Sequence, residues 1–278
     1  MKNALTIDLE EFFQIHVLSR IISPGQWPKQ PSCVEKNTQR VLDILEPGHI
    51  HATFFCLGWV AERHPDLIKR IHSMGHEIAC HGYSHQVIYN QTPKGFKKDI
   101  IRAKAILEDI TGQGIIGYRA PTYSITRKTM WALDILEELG FRYDSSIFPI
   151  HHDNYGIPGS PRHPYQHQGM NLVEFPISTL AAGPVNLPIS GGGYFRLLPY
   201  GLTKFALKRL QNRDRPFIFY LHPWEFNPDE PRPHKLPPLS AFRTYIGLTK
   251  TAARFSRLVD DFEFSTVSEV LKTMGLLD

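Results

Sequence analysis

Two short stretches of this sequence place acids and histidines at spacings that suit joint chemistry. In TIDLEEFF, Asp8 and Glu10 point to the same side of an extended strand, about 7 Å apart, whereas Glu11 points away. In HGYSH, His81 and His85 are four residues apart, which brings two imidazoles together on a helical turn or around a loop. These residues predict a metal site with a second carboxylate that accepts a proton.

A set of two neutral imidazoles and one carboxylate can hold a divalent cation and leave positions open for water and substrate. The residues between the two histidines are Gly-Tyr-Ser, so the H-E-x-x-H signature of metalloproteases is absent. Non-haem iron oxygenases use the same ligand set and remain an alternative. Those enzymes are usually all-β proteins, whereas this chain shows regular helical patterns.

Reactive side chains recur where apolar, strand-like runs end. Besides Asp8 and His81, runs of this kind end at Arg119, Asp144 and His222. The carboxyl ends of parallel strands face one common surface, where the connecting loops build active sites. We therefore expect these residues, although distant in sequence, to converge.

The order of the elements predicts the parallel sheet that such convergence requires. Short β-branched and aromatic runs alternate about seven times with longer helical patterns, as in HATFFCLG followed by HPDLIKRIHSMG. This alternation is typical of parallel strands with helical crossovers, in an open sheet or a barrel. No glycine-rich nucleotide-binding fingerprint is present, and Gly191–Gly193 is interpreted as a flexible loop. Residues 148–170 and 223–240 are predicted long loops on one face.

Composition and charge narrow the class of protein. The 278 residues are 42% apolar and 21% charged, which is ordinary for a globular chain able to build a large core. The net charge of +4 is dispersed, so no nucleic-acid partner is expected. No apolar run approaches the roughly 20 residues of a transmembrane helix, and early acids argue against a signal peptide. Three isolated cysteines favour a cytoplasmic protein with reduced thiols; the oligomeric state stays open.

Five motifs follow one another along the chain: LTIDLEEFF, TFFCLGWVAERHPDLIKRIHSMGHEIACHGYSH, GYRAPTYSIT, YDSSIFP and FYLHPWEF. In order and spacing they resemble the polysaccharide deacetylase family, the NodB-homology carbohydrate esterases, and most of all the branch associated with exosortase and exopolysaccharide loci. The resemblance implies an α/β fold, a deformed (β/α) barrel of about seven parallel strands. It implies a single domain over residues 1–278, with the motif-bearing barrel at about 1–225 and a proline-rich loop with closing helices at about 226–278.

The resemblance implies catalytic roles for four matching residues. Asp8 matches the catalytic base, and Arg119 matches the arginine that pairs with that base. His222 matches the general acid. Asp144 matches the acid that tunes this histidine.

The resemblance also implies a divalent metal, most commonly zinc. Its ligands would be Glu10, His81 and His85. Glu11 is the alternative acidic ligand, because the family's common motif has adjacent acids whereas this chain reads Asp-Leu-Glu. Four residues are expected to contact the substrate, with the first of them bordering the acetyl methyl: Leu221, Tyr123, Trp224 and Tyr194.

The activity implied is removal of acetyl groups from N-acetylated amino sugars of a polysaccharide or its precursor, so the expected partner is an acetylated carbohydrate. A hydrolase of cyclic amides or ureides on the same scaffold is one alternative. A carbohydrate-binding pseudoenzyme is another, although a retained acid at position 8 and His222 argue against it.

Overall fold

The protein is built on a curled, mostly parallel β-sheet, seen in a computed structural model that describes residues 2–152, 155–211, 215–232 and 236–278. The strands are β1 (Asn3–Leu9), β2 (Thr53–Cys56), β3 (Glu77–Cys80), β4 (Gly117–Tyr118), β5 (Tyr143–Asp144), β6 (Tyr165–Gln166), β7 (Val173–Glu174), β8 (Thr179–Ala182), β9 (Val185–Pro188), β10 (Ile218–Leu221) and β11 (Phe264–Ser265). The main sheet runs in the order β10-β1-β2-β3-β4-β5-β7-β6, and β11 also pairs with β1. Its pairs are parallel except β6–β7, while β8 and β9 form a separate hairpin.

Helices connect successive strands and cover the outer face of the sheet. They are α1 (Val34–Leu45), α2 (Gly58–Arg63), α3 (Pro65–Ser73), α4 (Pro93–Thr111), α5 (Trp131–Glu138), α6 (Gly192–Leu197), α7 (Tyr200–Gln211), α8 (Pro238–Tyr245), α9 (Leu248–Asp261) and α10 (Val267–Thr273). The longest, α4, begins with Thr92, whose hydroxyl accepts a hydrogen bond from the Gly95 N–H, and ends at Gly112 in the left-handed conformation. None of the helices in the described ranges is long and apolar enough to cross a membrane.

Strand alternation separates the core from the site. In β1, the side chains of Leu5 and Ile7 pack in the large apolar core with the helices. Thr6 and Asp8 therefore face the opposite, inner side of the sheet. The inner side is buried as well, but it carries polar groups among its aromatic residues. The sheet thus brings polar side chains into a protected interior.

The two ends of the chain meet in the sheet. Strand β11 lies parallel to the start of β1, with Asn3 opposite Phe264 and Ala4 opposite Ser265. This pairing ties the C-terminal segment to the first strand. It supports one domain over residues 1–278, which stays a prediction.

The predicted fold class is confirmed: the chain has an α/β fold with a curled parallel sheet. The seven predicted strands are present as β1, β2, β3, β4, β5, β7 and β10. The sequence interpretation missed β6, the β8–β9 hairpin and β11. The first two lie in or beside segments that contain proline and glycine, and β11 is only two residues long.

The interpretation of Gly191–Gly193 as a flexible loop is wrong. Gly192 begins α6, and Gly191 forms a bridge to Tyr220 beside β10. A Cβ at Gly191 would lie 1.9 Å from the carbonyl oxygen of Tyr220, and its φ is 142°. This glycine is therefore needed for close backbone contact, since a side chain would clash with β10.

Candidate active site

Glu10, His81 and His85 form a group at the carboxyl ends of β1 and β3 that could bind a metal ion. One ligand atom from each side chain lies within 4.8 Å of the others. The closest approach is 2.8 Å, between Oε2 of Glu10 and Nε2 of His85. Among the described residues, these three side chains are the acids, histidines or cysteines that lie close enough together, in a group of three or more, to hold a metal ion.

The surroundings of this group suit a divalent cation. The carbonyl oxygen of Arg119 lies 2.8 Å from Nδ1 of His81. Because a carbonyl can only accept, Nδ1 carries the proton and Nε2 keeps a free lone pair. Burial and the neighbouring His85 lower the pKa of His81 to about 3, so its imidazole is neutral, as a metal ligand must be. Burial raises the pKa of Glu10, but the three nearby histidines outweigh it and the net pKa is lowered.

Glu11 is directed to a different place. Its carboxylate accepts hydrogen bonds from the Ser32 hydroxyl and from the Cys33 N–H, the latter at 3.1 Å. Both partners precede α1, so Glu11 holds the start of that helix. The geometry thus favours Glu10 over Glu11 as the acidic ligand.

Asp8 and Arg119 form a buried ion pair on the inner side of the sheet. The Nη1 of Arg119 lies 2.6 Å from Oδ1 of Asp8 and donates also to the hydroxyl of Thr6 at 2.8 Å. The other guanidinium nitrogens donate to Ser145, Nε to its carbonyl at 3.1 Å and Nη2 to its hydroxyl at 2.9 Å. This arrangement leaves the second carboxylate oxygen of Asp8 free to face the cavity.

His222 approaches both acids from β10. Its Nε2 lies 3.8 Å from Oδ2 of Asp8 and 3.6 Å from Oε1 of Glu10. On the other side of the ring, Nδ1 lies 2.7 Å from Oε1 of Glu225. Burial lowers the pKa of His222, but the hydrogen bond with Glu225 and the charges of three acids raise it to about 9. His222 is therefore a proton donor near neutral pH.

A cavity of about 570 Å³ is lined by these groups and by a largely aromatic wall. The aromatic residues of the wall are Tyr123, Tyr155, Tyr194, Tyr220, Trp224 and Phe242. Trp224 is mostly buried: its ring lies nearly parallel to that of His222, and its Nε1 lies 3.4 Å from Oε1 of Glu10. Aromatic faces suit the C–H faces of a sugar, and the volume suits a small ligand.

Backbone strain is concentrated at this cavity. His85, Thr122 and Tyr123 have φ values of 49°, 56° and 52°, in the left-handed region that favours glycine. All three line the cavity. Strained positions of this kind persist where the surrounding structure imposes them, and they gather at functional sites.

Comparison with protein families divides the chain into two adjoining segments. The family model described as polysaccharide deacetylase matches residues 28–143. A model described as a domain of unknown function (DUF3473) matches residues 145–272.

Residues 28–143 of this chain belong to the polysaccharide deacetylase family.

Two curated relatives agree with this membership. The chain is 31% identical over 119 residues to a peptidoglycan deacetylase of Helicobacter pylori, covering 43% of this chain and 39% of that protein. It is 34% identical over 98 residues to a peptidoglycan-N-acetylglucosamine deacetylase of Bacillus cereus, covering 35% of this chain and 36% of that protein. The matched part is thus under two fifths of either relative.

Solved structures share the fold over nearly the whole chain. A crystal structure from Mycobacterium smegmatis is 22% identical, with a TM-score of 0.60, over 100% of this chain and 93% of that one. Puue allantoinase is 15% identical, with a TM-score of 0.61, over 97% of this chain and 88% of that one. At these identities the likeness shows the fold alone, and the site has to decide the activity.

Residues from both segments build the site. The deacetylase model covers His81, His85 and Arg119, whereas His222 and Glu225 lie in the DUF3473 segment. Sequence reasoning missed Glu225 and Tyr220. Glu225 could have been found from its spacing, because three residues after a histidine at a strand end is close enough for a capping-box contact.

The role expected for Asp144 is wrong. Asp144 lies under the sheet, where it accepts a hydrogen bond from the hydroxyl of Ser146 and lies against the buried carboxyl of Glu174. The carboxylate that holds His222 is that of Glu225. A strand end brought Asp144 to the right edge of the sheet, but its side chain is buried among β5 and β7 and does not line the cavity.

The role expected for Leu221 is also wrong. Leu221 packs in the core between sheet and helices and does not line the cavity, whereas its neighbour Tyr220 does. Because strand side chains alternate, Tyr220 and His222 share the inner side and Leu221 faces out. Tyr123, Tyr194 and Trp224 line the cavity as the sequence predicted, and their contact with substrate stays a prediction.

The buried pair of Asp144 and Glu174 makes stability depend on pH. Burial raises the pKa of Glu174 from 4.5 to about 7, and burial together with Glu174 raises the pKa of Asp144 well above its usual value. The folded state therefore binds more protons than the unfolded state between about pH 4.5 and 7. The free energy of unfolding falls as the pH rises through this window.

We expect Glu174→Gln to remove part of this dependence, because glutamine does not titrate. Between pH 4 and pH 8 the wild type should lose roughly 1–3 kcal/mol relative to the variant. Urea unfolding of both proteins across that range measures the difference. Parallel curves would contradict the assignment.

Proposed function

We propose that this protein is a divalent-metal-dependent hydrolase that removes acetyl groups from N-acetylated amino sugars of a polysaccharide or its precursor. It would act on carbon–nitrogen bonds of linear amides. The observation that supports this most directly is the convergence of Asp8, Glu10, His81, His85 and His222 on one aromatic-lined cavity. Membership of the deacetylase family agrees with it, as does the amino-sugar substrate in the name of the Bacillus cereus relative.

Glu10, His81 and His85 would hold the metal, for which we propose zinc. Bound there, the cation supplies Lewis acidity that polarises an acetyl carbonyl and acidifies a water molecule. Borderline cations of this type accept imidazole nitrogen and carboxylate oxygen together.

Asp8 would act as the general base. Its free oxygen faces the cavity while Arg119 binds the other, so the carboxylate is oriented to take a proton from the attacking water. The buried guanidinium also balances its charge.

His222 would act as the general acid. An amide nitrogen is a poor leaving group until it is protonated, so a donor is needed as the C–N bond breaks. The Nε2–H of His222 lies on the cavity side of the ring, since Nδ1 is bound to Glu225. The base and the acid thus stand 3.8 Å apart, close enough to serve a single acetamide.

Acetate release from acetylated saccharides tests the proposal. Protein reconstituted with zinc should release acetate from N-acetylglucosamine oligomers, should lose the activity with a chelator and should regain it with zinc. Allantoin and an O-acetylated xylan serve as comparison substrates for the ureide and ester alternatives. Hydrolysis of allantoin alone would replace this function with the ureide one, and saccharide binding without any hydrolysis would indicate a pseudoenzyme. An exopolysaccharide precursor from a biosynthetic locus is the substrate we propose to test after these oligomers.

A further inference from the structure

A buried chain of charged hydrogen bonds runs along the wall of the cavity through His222, Glu225 and Arg196. One carboxylate oxygen of Glu225, Oε1, lies 2.7 Å from Nδ1 of His222 and accepts the backbone N–H of the same residue at 3.0 Å. The other oxygen, Oε2, accepts from Nε of Arg196 at 2.5 Å. Both oxygens are occupied, so the carboxylate cannot turn without losing contacts at both ends.

Arg196 is in turn held by backbone oxygens at the end of α8. Its Nη1 donates to the carbonyl of Thr244 at 2.8 Å and to that of Ile246 at 2.7 Å. The side chain is buried, and its ion pair in the described part of the chain is with Glu225. A charge buried in this way is costly unless it is paired and hydrogen-bonded, so the contact restrains both residues.

Removal of the Arg196 guanidinium would break one of the two ion pairs of Glu225 described above and leave the pair with His222. Burial raises the pKa of Glu225, while Arg196 and His222 lower it to a net value below its usual one. Without Arg196, the charged form of the Glu225 carboxylate would be less favoured. The carboxylate would also be free to rotate about the bond that joins it to the rest of the side chain. In either case the Nδ1–H of His222 would lose a fixed acceptor.

We infer that Arg196 and Glu225 are positioning residues that fix the ring of His222, so that Nε2–H points at the leaving nitrogen. The inference rests on the general-acid role of His222 in the proposed function. All three residues belong to the segment matched by the domain of unknown function. A task of that segment would then be to supply the acid and the buried pair that holds it.

The kinetic signature follows from the leaving group. Arg196→Ala should lower kcat for an N-acetylglucosamine oligomer by roughly 10- to 100-fold, part of the contribution of a well-placed general acid, with little change in KM. The metal-dependent hydrolysis of 4-nitrophenyl acetate should fall much less, because a phenolate leaves without a proton. Arg196→Lys should recover part of the loss, since it restores a cation beside Glu225.

Arg254→Ala is a matched control. Arg254 donates to the carbonyls of Phe195 and Arg196 at 2.7 and 2.8 Å, so it holds the same short helix without touching Glu225. If Arg254→Ala lowers amide and ester turnover in the same ratio as Arg196→Ala, the role of Arg196 is merely structural and the inference is overturned. Equal amide activity of Arg196→Ala and the wild type would overturn it as well.

A substrate-free measurement separates this inference from the proposed function. In zinc-loaded protein, the Nδ1–H of His222 should give a strongly deshielded proton resonance, as expected of a short, charge-assisted hydrogen bond. The resonance is assigned by its absence in His222→Ala. It should persist in Arg254→Ala and be lost or shifted in Arg196→Ala. A resonance unchanged in Arg196→Ala overturns the inference, whereas an inactive wild type with the expected spectra overturns only the proposed function.

Discussion

Asp8→Asn is expected to lower acetate release by roughly 10²- to 10⁴-fold while the protein keeps its metal. Asparagine has the size of aspartate but cannot accept the proton of the attacking water. The proposed metal ligands are other side chains, Glu10, His81 and His85, so metal content should not change. Acetate release and metal-to-protein stoichiometry, measured on the same preparation, check both halves of the result.

The buried ion pair makes a folding control necessary. Asp8→Asn leaves the guanidinium of Arg119 without its counter-charge, and breaking a buried pair can cost roughly 3–5 kcal/mol. Thr6→Val removes a different hydrogen bond to the same guanidinium and keeps the base, so its activity should fall far less. Metal loss in Asp8→Asn, with thermal unfolding like that of Thr6→Val, would mean that Asp8 is a ligand and that Asp8 and Glu10 have exchanged roles.

Glu10→Gln is expected to weaken metal binding by more than the roughly 10- to 100-fold that is typical of changes around a ligand, and to abolish activity. The amide oxygen of glutamine carries no charge, and the carboxylate is the anionic member of the three-residue group. Competition with a chromophoric chelator measures the dissociation constant for zinc. If Glu10→Gln keeps its activity at saturating zinc, the role of Glu10 is limited to raising the affinity for zinc.

Glu11→Gln is the matched control for this variant. The two acids are neighbours in sequence, but Glu11 binds Ser32 and Cys33 before α1. Its replacement should cost roughly 1–3 kcal/mol of stability through weakened buried hydrogen bonds and leave zinc affinity close to that of the wild type. The reverse pattern, with metal lost in Glu11→Gln and kept in Glu10→Gln, would assign the ligand to Glu11.

Much of the fold and part of the site could be predicted because they depend on short-range patterns. Alternation of strands and helices predicted the parallel sheet, and a parallel sheet brings the ends of its strands to one edge. That rule predicted that Asp8, His81, Arg119 and His222 would converge in the folded protein. The spacing of two residues in TIDLE also predicted that Asp8 and Glu10 reach the same side, and both line the cavity.

Side-chain partners could not be predicted in the same way. Asp144 ends a strand as His222 does, yet it is buried with Glu174 under the sheet, and the acid beside His222 is Glu225. The prediction for Leu221 was wrong by one residue. Because strand side chains alternate between the two faces, an error of one residue places a side chain on the opposite face of the sheet.

The sequence by itself determined the alternation of strands and helices, the reactive residue types at the strand ends and the resemblance to a family. Only the tertiary structure decided that Glu11 binds the start of α1, that Asp144 lies beside Glu174 and away from His222, and that Arg196 pairs with Glu225. The physical reason is that repeat patterns and motifs record local conformation. Contacts between side chains far apart in sequence depend on how loops such as the one before α6 pack, and no local pattern records that packing.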